Sequence, residues 1–165
     1  GIKPDLVLLG KALANGEKVA CIAGRADILD SQYFCSGTYH GHLPSLAAVI
    51  ACCDLAMHDH EYDLEKLNAD AMYLIEKLNA LAEVLFHVEG WCCRAAFKGD
   101  YHLFHQEMAK CQILFGPSLF INFDNSKHFP DVLKLSETVI ERIRNGEASL
   151  CGAKPTPAFS QRGRT

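Results

Sequence analysis

The sequence predicts an α/β chain, the trailing edge of a larger α/β sheet followed by a small α+β domain. Three observations predict it. Leu6–Leu9 is an apolar run bounded by Pro4 and Gly10, and residues 19–25 repeat that texture, so both read as buried strands. Two long segments, residues 44–57 and 64–85, then carry apolar side chains at helical spacing. From Val84 onward the pattern becomes two strands, a helix, two strands and a helix.

The elements follow in order. After the first strand, Lys11 enters a stretch of small residues closed by Asn15-Gly16, a turn signal. Residues 26–30 fit one turn of helix, and Ser36-Gly37-Thr38-Tyr39-His40-Gly41-His42 is a loop by composition. Leu46, Val49, Ile50, Cys53 and Met57 then fall on one helical face. Beyond His58-Asp59-His60-Glu61, Leu64, Leu67, Ala71, Leu74, Leu78, Leu81 and Leu85 alternate spacings of three and four, as in a helix laid across a sheet. Residues 85–88 and 91–97 read as strands split at Glu89-Gly90, and Asp100 as the N-cap of a helix carrying Leu103, Phe104, Met108 and Cys111. Residues 113–115 and 119–123 read as short strands, and Phe129–Arg144 as a final helix with Gly146 just past its end. The tail from Lys154 reads as extended. There is no internal repeat.

The 165 residues are 49% hydrophobic and 22% charged, with net charge -4 and pI ≈ 6.0. That suits a folded core and gives no basic surface for nucleic acid or anionic lipid. No apolar stretch reaches bilayer length and no signal-peptide pattern is present. Cys52-Cys53 and Cys92-Cys93 are adjacent pairs on regular elements, so the eight cysteines read as buried free thiols of a reducing cytoplasm, not as a disulfide scaffold. Beginning at Gly1 and entering a strand almost at once, the chain reads as a piece of something longer.

The chemistry gathers at Lys11. A lysine delivered by a buried strand among small residues suits imine formation, which needs a desolvated amine and room for a flat aldehyde. From spacing alone, a strand-end lysine reaching solvent remains the ordinary alternative. His40-Gly41-His42 and His58-Asp59-His60 invite a metal, but no C-x-x-C or H-x-x-x-H accompanies them, so no metal is expected. The acidic start of the long helix, Glu61, Asp63 and Glu65, is explained by the helix dipole.

Pro4-Asp5-Leu6 followed by Leu9-Gly10-Lys11-Ala12-Leu13-Ala14-Asn15-Gly16 resembles the lysine motif of class III aminotransferases, which use pyridoxal 5'-phosphate. Residues 20–25 resemble the strand after it, and Ser36-Gly37-Thr38-Tyr39-His40-Gly41 with Leu46-Ala47-Ala48 that family's second phosphate segment. Phe104-His105-Gln106-Glu107-Met108, Ile113-Leu114-Phe115, Phe120-Ile121-Asn122-Phe123 and Pro155-Thr156-Pro157-Ala158-Phe159 resemble the glutamate-1-semialdehyde aminomutase branch. The matches run in order along nearly the whole chain and reverse the reading of Lys11.

The resemblance implies the carboxy-terminal part of a fold-type-I pyridoxal-phosphate transferase. Residues 1–57 would end its large cofactor-binding domain and residues 58–165 would form its small domain. It further implies that Lys11 forms a Schiff base with the cofactor and shuttles protons, and that Thr38, beside Gly37, gives its hydroxyl to the phosphate bound by the neighbouring subunit of a homodimer. Substrates would be a small amino donor and a carbonyl acceptor, with no nucleic-acid or membrane partner. The family's aspartate for the pyridinium nitrogen, its ring-stacking aromatic and its main phosphate loop precede the lysine and are not in this chain. Glu17-Lys18 and His42 also depart from the usual residues. The chain alone is therefore expected to bind cofactor poorly. The alternative reading is a catalytically inert remnant that binds a partner through the stripe of residues 64–85. Arg162 and Arg164 are tail arginines read as solvated.

Overall fold

The computed structural model describes residues 2–30, 36–91 and 94–154. Cys92-Cys93, the closing segment 155–159 and the arginines at 162 and 164 lie outside the described residues. The chain divides into two compact units, Gly1–Asp63 and Leu64–Thr165.

In the first unit, β1 (Leu6–Leu9) pairs antiparallel with β2 (Cys21–Gly24), Leu6 opposite Gly24 and Leu9 opposite Cys21. A single 3-10 turn, Lys11–Ala14, follows β1, and α1 (Ala26–Leu29) follows β2. Next comes α2 (Leu43–His58), with Pro44 in its first turn, where a missing N–H costs nothing. The expectation of buried strands is corrected here. All four residues of β1 are exposed, Leu8 at 79%, because among the described residues of this unit the ribbon has only two strands, too few to cover its own faces. The expected apolar face of α2 is likewise open: Leu46, Ile50 and Met57 are exposed, and Val49 and Cys53 are half-buried. The thiols also differ from expectation. Cys52, Cys53 and Cys111 are half-buried, but Cys21 and Cys151 are exposed; all five are free.

The second unit owns the core. Its α3 (Leu64–Ala82) buries Leu67, Ala71, Leu74, Ile75, Leu78 and Ala82, so the leucine stripe is a core face and not a free partner surface. Each such large side chain contributes roughly 1.5–3 kcal/mol of burial. A three-stranded antiparallel sheet, in the order β3 (Phe86–Trp91), β4 (Arg94–Gly99), β5 (Ser118–Phe120), supplies Phe86, Val88, Ala95, Phe97 and Leu119 to the same cluster. α4 (His102–Lys110) adds Phe104 and Met108, and α6 (Phe129–Arg144) adds Phe129, Val139 and Ile140.

Four details differ from the sequence reading. β3 runs straight through Glu89-Gly90, because Gly90 (φ +143) lies against Ala95, where a Cβ would come within 2.6 Å of the Ala95 Cα. Asp100 does not hold the N-cap position of α4, although its carboxylate accepts from the His102 backbone N–H. Tyr101 holds the N-cap position, and the Asp100 carboxylate takes Lys154 Nζ at 2.6 Å. Residues 113–115 form no strand; Ile113 N–H donates to Met108 O at 3.0 Å, and Leu114 stands in solvent. β5 stops at Phe120 because Asn122 caps a further turn, α5 (Phe123–Ser126), in a reciprocal capping box with Asn125. α6 has the expected bounds, with Gly146 at φ +73 beyond it. Among the described residues no helix is long and apolar enough to cross a membrane.

Candidate functional site

The candidate site lies in the first unit. β1 ends at Gly10, and Lys11 takes up φ +52, a left-handed conformation that few side chains adopt, as the first residue of the 3-10 turn. Leu13 N–H donates to Gly10 O (3.1 Å), Asn15 N–H to Ala12 O (3.3 Å) and Glu17 N–H to Ala14 O (3.1 Å). Asn15 (φ +43) and Gly16 (φ +113) turn the chain back, and Ala14 is buried beneath the turn. Lys11 itself is exposed, so the expected desolvated lysine is not built by this chain. The reason is the uncovered ribbon that carries it.

The loop bearing Gly37 and Thr38 closes with His40 N–H donating to Gly37 O at 3.0 Å and His42 N–H to Tyr39 O at 3.2 Å. Gly41 sits at φ +75. Thr38 is exposed. The loop runs directly into α2, a sixteen-residue helix whose first turn offers free N–H groups near Thr38 in the chain.

Sequence reasoning did not single out the contacts that join these two stretches. Ser45, in the first turn of α2, donates its hydroxyl proton to Lys18 O at 3.1 Å and lies 2.9 Å from His42 Nδ1. Lys18 Nζ sits 5.2 Å from the centre of the Tyr39 ring, and Tyr39 meets His42 edge-on. A serine three residues past a loop histidine was the one legible signal.

Elsewhere in the first unit, Arg25 binds Asp5 through Nη1 (2.8 Å) and Asp27 through Nε (3.0 Å) and Nη2 (2.5 Å). Those hydrogen bonds, Asp27's first, raise the guanidinium's pKa, and the Asp27 carboxyl is held below its usual range by Arg25. Asp5 is therefore an ion-pair partner that ties β1 to the end of β2. The histidine pairs gather no ligand set: His58 Nδ1 lies 2.9 Å from Asp54 Oδ1, and no three His, Cys, Asp or Glu side chains among the described residues could hold a metal. An open groove of about 660 Å³ in the second unit is mainly apolar, lined by residues such as Ile113, Phe115, Phe129 and Val132.

The structure thus places an amine at the end of a strand and, separately, a hydroxyl in a glycine-bearing loop ahead of a helix start. Solved structures share the architecture. A transaminase with pyridoxal phosphate bound superposes at TM-score 0.69 with 13% identity, over 88% of this chain and 40% of its own. The fold is that of the carboxy-terminal portion of pyridoxal-phosphate transaminases.

Sequence similarity points to a particular branch. The chain is 25% identical over 167 aligned positions to glutamate-1-semialdehyde 2,1-aminomutase of Caldivirga maquilingensis, covering 87% of this chain and 39% of that enzyme. It is 31% identical over 120 positions to the same enzyme of Methanococcoides burtonii, covering 67% of this chain and 28% of that one. The chain thus spans about two fifths of the length of the first of these relatives. No model of a known protein family matches it.

Proposed function

We propose that this chain is the carboxy-terminal part of a pyridoxal-phosphate-dependent aminotransferase or aminomutase, in which Lys11 is the lysine that binds the cofactor. The observation that carries the reading is the placement of Lys11 at the end of β1 and of Thr38 ahead of α2, within a chain similar to aminomutases along most of its length. Residues 1–57 close the large domain and residues 58–165 form the small one. The intact enzyme is a cytoplasmic homodimer that moves an amino group between a small amino donor and a carbonyl acceptor, or within one molecule.

The residues present fit the cofactor by the chemistry of their donors: one primary amine, one hydroxyl, and a glycine loop at a helix start. Pyridoxal 5'-phosphate, when bound, supplies an aldehyde and an electron sink. Lys11 Nζ would hold the cofactor and, once freed, would serve as the base that takes up and returns the proton of the substrate α-carbon. Thr38 Oγ1 donates to the phosphate bound by the neighbouring subunit, and Gly37 lets the backbone approach. Lys11, exposed in this chain, would need covering residues from the part of the enzyme that this chain does not span.

The test joins the amino-terminal part of the Caldivirga relative to this chain and measures visible absorbance with pyridoxal 5'-phosphate. A lysine adduct near the visible edge is expected, and Lys11→Ala abolishes it. Absorbance that survives Lys11→Ala overturns the role of Lys11.

A further inference from the structure

We propose that Ser45 is a positioning residue, the pin that fixes the Lys11 turn against the loop carrying Thr38; the proposal rests on the roles given to Lys11 and Thr38 above. Ser45 is the one buried residue of α2, at 2% exposure, and it is polar. A buried hydroxyl is retained where its bonds are made, and these are. It has one proton, and the Lys18 carbonyl can only accept, so that proton goes to Lys18 O. His42 Nδ1, 2.9 Å from the same hydroxyl oxygen, must then be the donor to it. The geometry therefore fixes hydrogen on His42 Nδ1 and leaves Nε2 as the acceptor of the neutral ring.

A relay results: His42 Nδ1–H to Ser45 Oγ, and Ser45 Oγ–H to Lys18 O. It runs from the N-cap of α2 to the segment that leaves the Lys11 turn. Lys18 stands as many residues after Lys11 as Ser45 stands after Thr38, so the pin joins the two candidate stretches at matching distances along the chain. Lys18 is gripped twice, by its carbonyl at Ser45 and by its ammonium over the Tyr39 ring. Ala14, at the end of the Lys11 turn, is buried, and that turn packs against α2. Two of the positions where the sequence departs from the aminotransferase pattern, Lys18 and His42, thus meet at one serine. Sites of this kind need their groups held to fractions of an ångström, which a buried hydroxyl on a helix supplies better than a loop.

The test uses the full chain. Long-range proton–nitrogen NMR of the imidazoles reads the His42 tautomer, expected as Nδ1–H in the parent and as Nε2–H in Ser45→Ala. Hydrogen exchange reads the amides of Leu13, Asn15 and Glu17, which close the Lys11 turn far from the substitution in sequence. They are expected to exchange at least tenfold faster in Ser45→Ala, with both signals restored in Ser45→Thr. Should Ser45→Ala disorder α2, His42→Phe removes the donor without entering the helix interior, and a several-fold rise at the same amides is expected. A His42 found as Nε2–H in the parent, or turn amides unmoved by either substitution, overturns the pin. In the chimaera with the amino-terminal part of the Caldivirga relative, treatment with pyridoxal 5'-phosphate and borohydride adds a chemical readout: Lys11 labelling relative to Lys3 falls at least fivefold in Ser45→Ala. A chimaera unlabelled at Lys11 counts against the cofactor reading alone, and the tautomer and exchange results still decide the pin.

Discussion

Asn79 on α3 grips Val88 of β3 by both backbone groups, Nδ2 donating to Val88 O at 2.8 Å and Oδ1 accepting from Val88 N–H at 2.7 Å. One amide side chain thereby stands in for a neighbouring strand at the outer edge of the sheet. The edge is satisfied, and it cannot pair with another chain at that point.

Asn79→Ala leaves a part-buried N–H and C=O without partners. With each lost bond costing roughly 1–1.5 kcal/mol, the second unit loses about 2–3 kcal/mol. Urea unfolding at neutral pH measures it. Sedimentation at high concentration should also show self-association, since the freed edge becomes a template for pairing.

Gly90→Ala separates steric from conformational cost. At φ +143, an added Cβ sits 2.6 Å from both Ala95 Cα and Arg94 O, and both are backbone that cannot yield cheaply. Gly146, at φ +73, has open space around it. Gly146→Ala should cost about 1 kcal/mol from conformation alone, and Gly90→Ala about 3 kcal/mol or more. Equal shifts in Tm would show that β3 and β4 give way.

Period was the legible part of this fold. The three-and-four spacing of Leu67, Ala71, Leu74 and Leu78 located α3, and Val132, Val139 and their neighbours located α6, because each helix had one core to face. Burial was not legible at β1, where the same apolar texture ends in solvent: a sequence states what a strand can bury, not what lies over it. Gly90 read as a break because its role depends on Ala95 across the ladder. Asn79 and Ser45 went unread for a related reason. Their partners, Val88 and Lys18, are backbone groups brought close only by folding, and a backbone carbonyl leaves no mark in composition.

Acid should loosen the second unit through His105. Burial pushes its pKa from 6.5 down to about 4, with the charge of His102 adding to the effect. Its Nε2 is buried without a hydrogen-bond partner, and Phe97, Tyr101, Phe104 and Phe115 surround the ring. The folded state holds the neutral form, so its contribution is complete above pH 6.5 and is lost as pH falls from there toward 4. Allowing for solvent screening of a half-buried ring, the loss is on the order of 1–2 kcal/mol. Denaturant midpoints between pH 6.5 and 5 should slope in the parent chain and flatten in His105→Phe. An unchanged slope would assign the acid sensitivity elsewhere.

Glu107 is the fully buried carboxylate of α4. Oε1 accepts from Lys110 Nζ (2.5 Å) and Gln106 Nε2 (3.0 Å), and Arg142 Nη1 stands 3.5 Å from Oε2. The Lys110 hydrogen bond, then that of Gln106, holds its pKa below the usual carboxylate range. A lowered carboxyl stabilises the fold above its unfolded pKa, and the contribution fades as pH falls through the folded value. Lys110→Met removes the first of these causes at neutral pH and should cost roughly 1–3 kcal/mol, less than for a wholly buried pair because Lys110 itself is half in water. Glu107→Gln in the Lys110→Met background should recover part of that loss, since the uncompensated charge is then gone. A double-mutant cycle by urea unfolding reads the difference.

Lys11 at φ +52 carries a backbone cost that its side chain does nothing to relieve within the described turn. Left-handed geometry disfavours side chains other than glycine and, more mildly, asparagine, by about 1 kcal/mol or more, and β-branched residues most of all. Lys11→Asn should therefore match or exceed the parent chain in stability of the first unit, and Lys11→Val should fall at least about 1 kcal/mol below it. Exchange at the amides of Leu13, Asn15 and Glu17 measures the turn directly. That ordering would mean that the turn keeps a lysine where another residue holds it better, as expected where the amine serves chemistry. If Lys11→Val were as stable as Lys11→Asn, the turn would carry no strain and conformation would give no reason to single out this lysine.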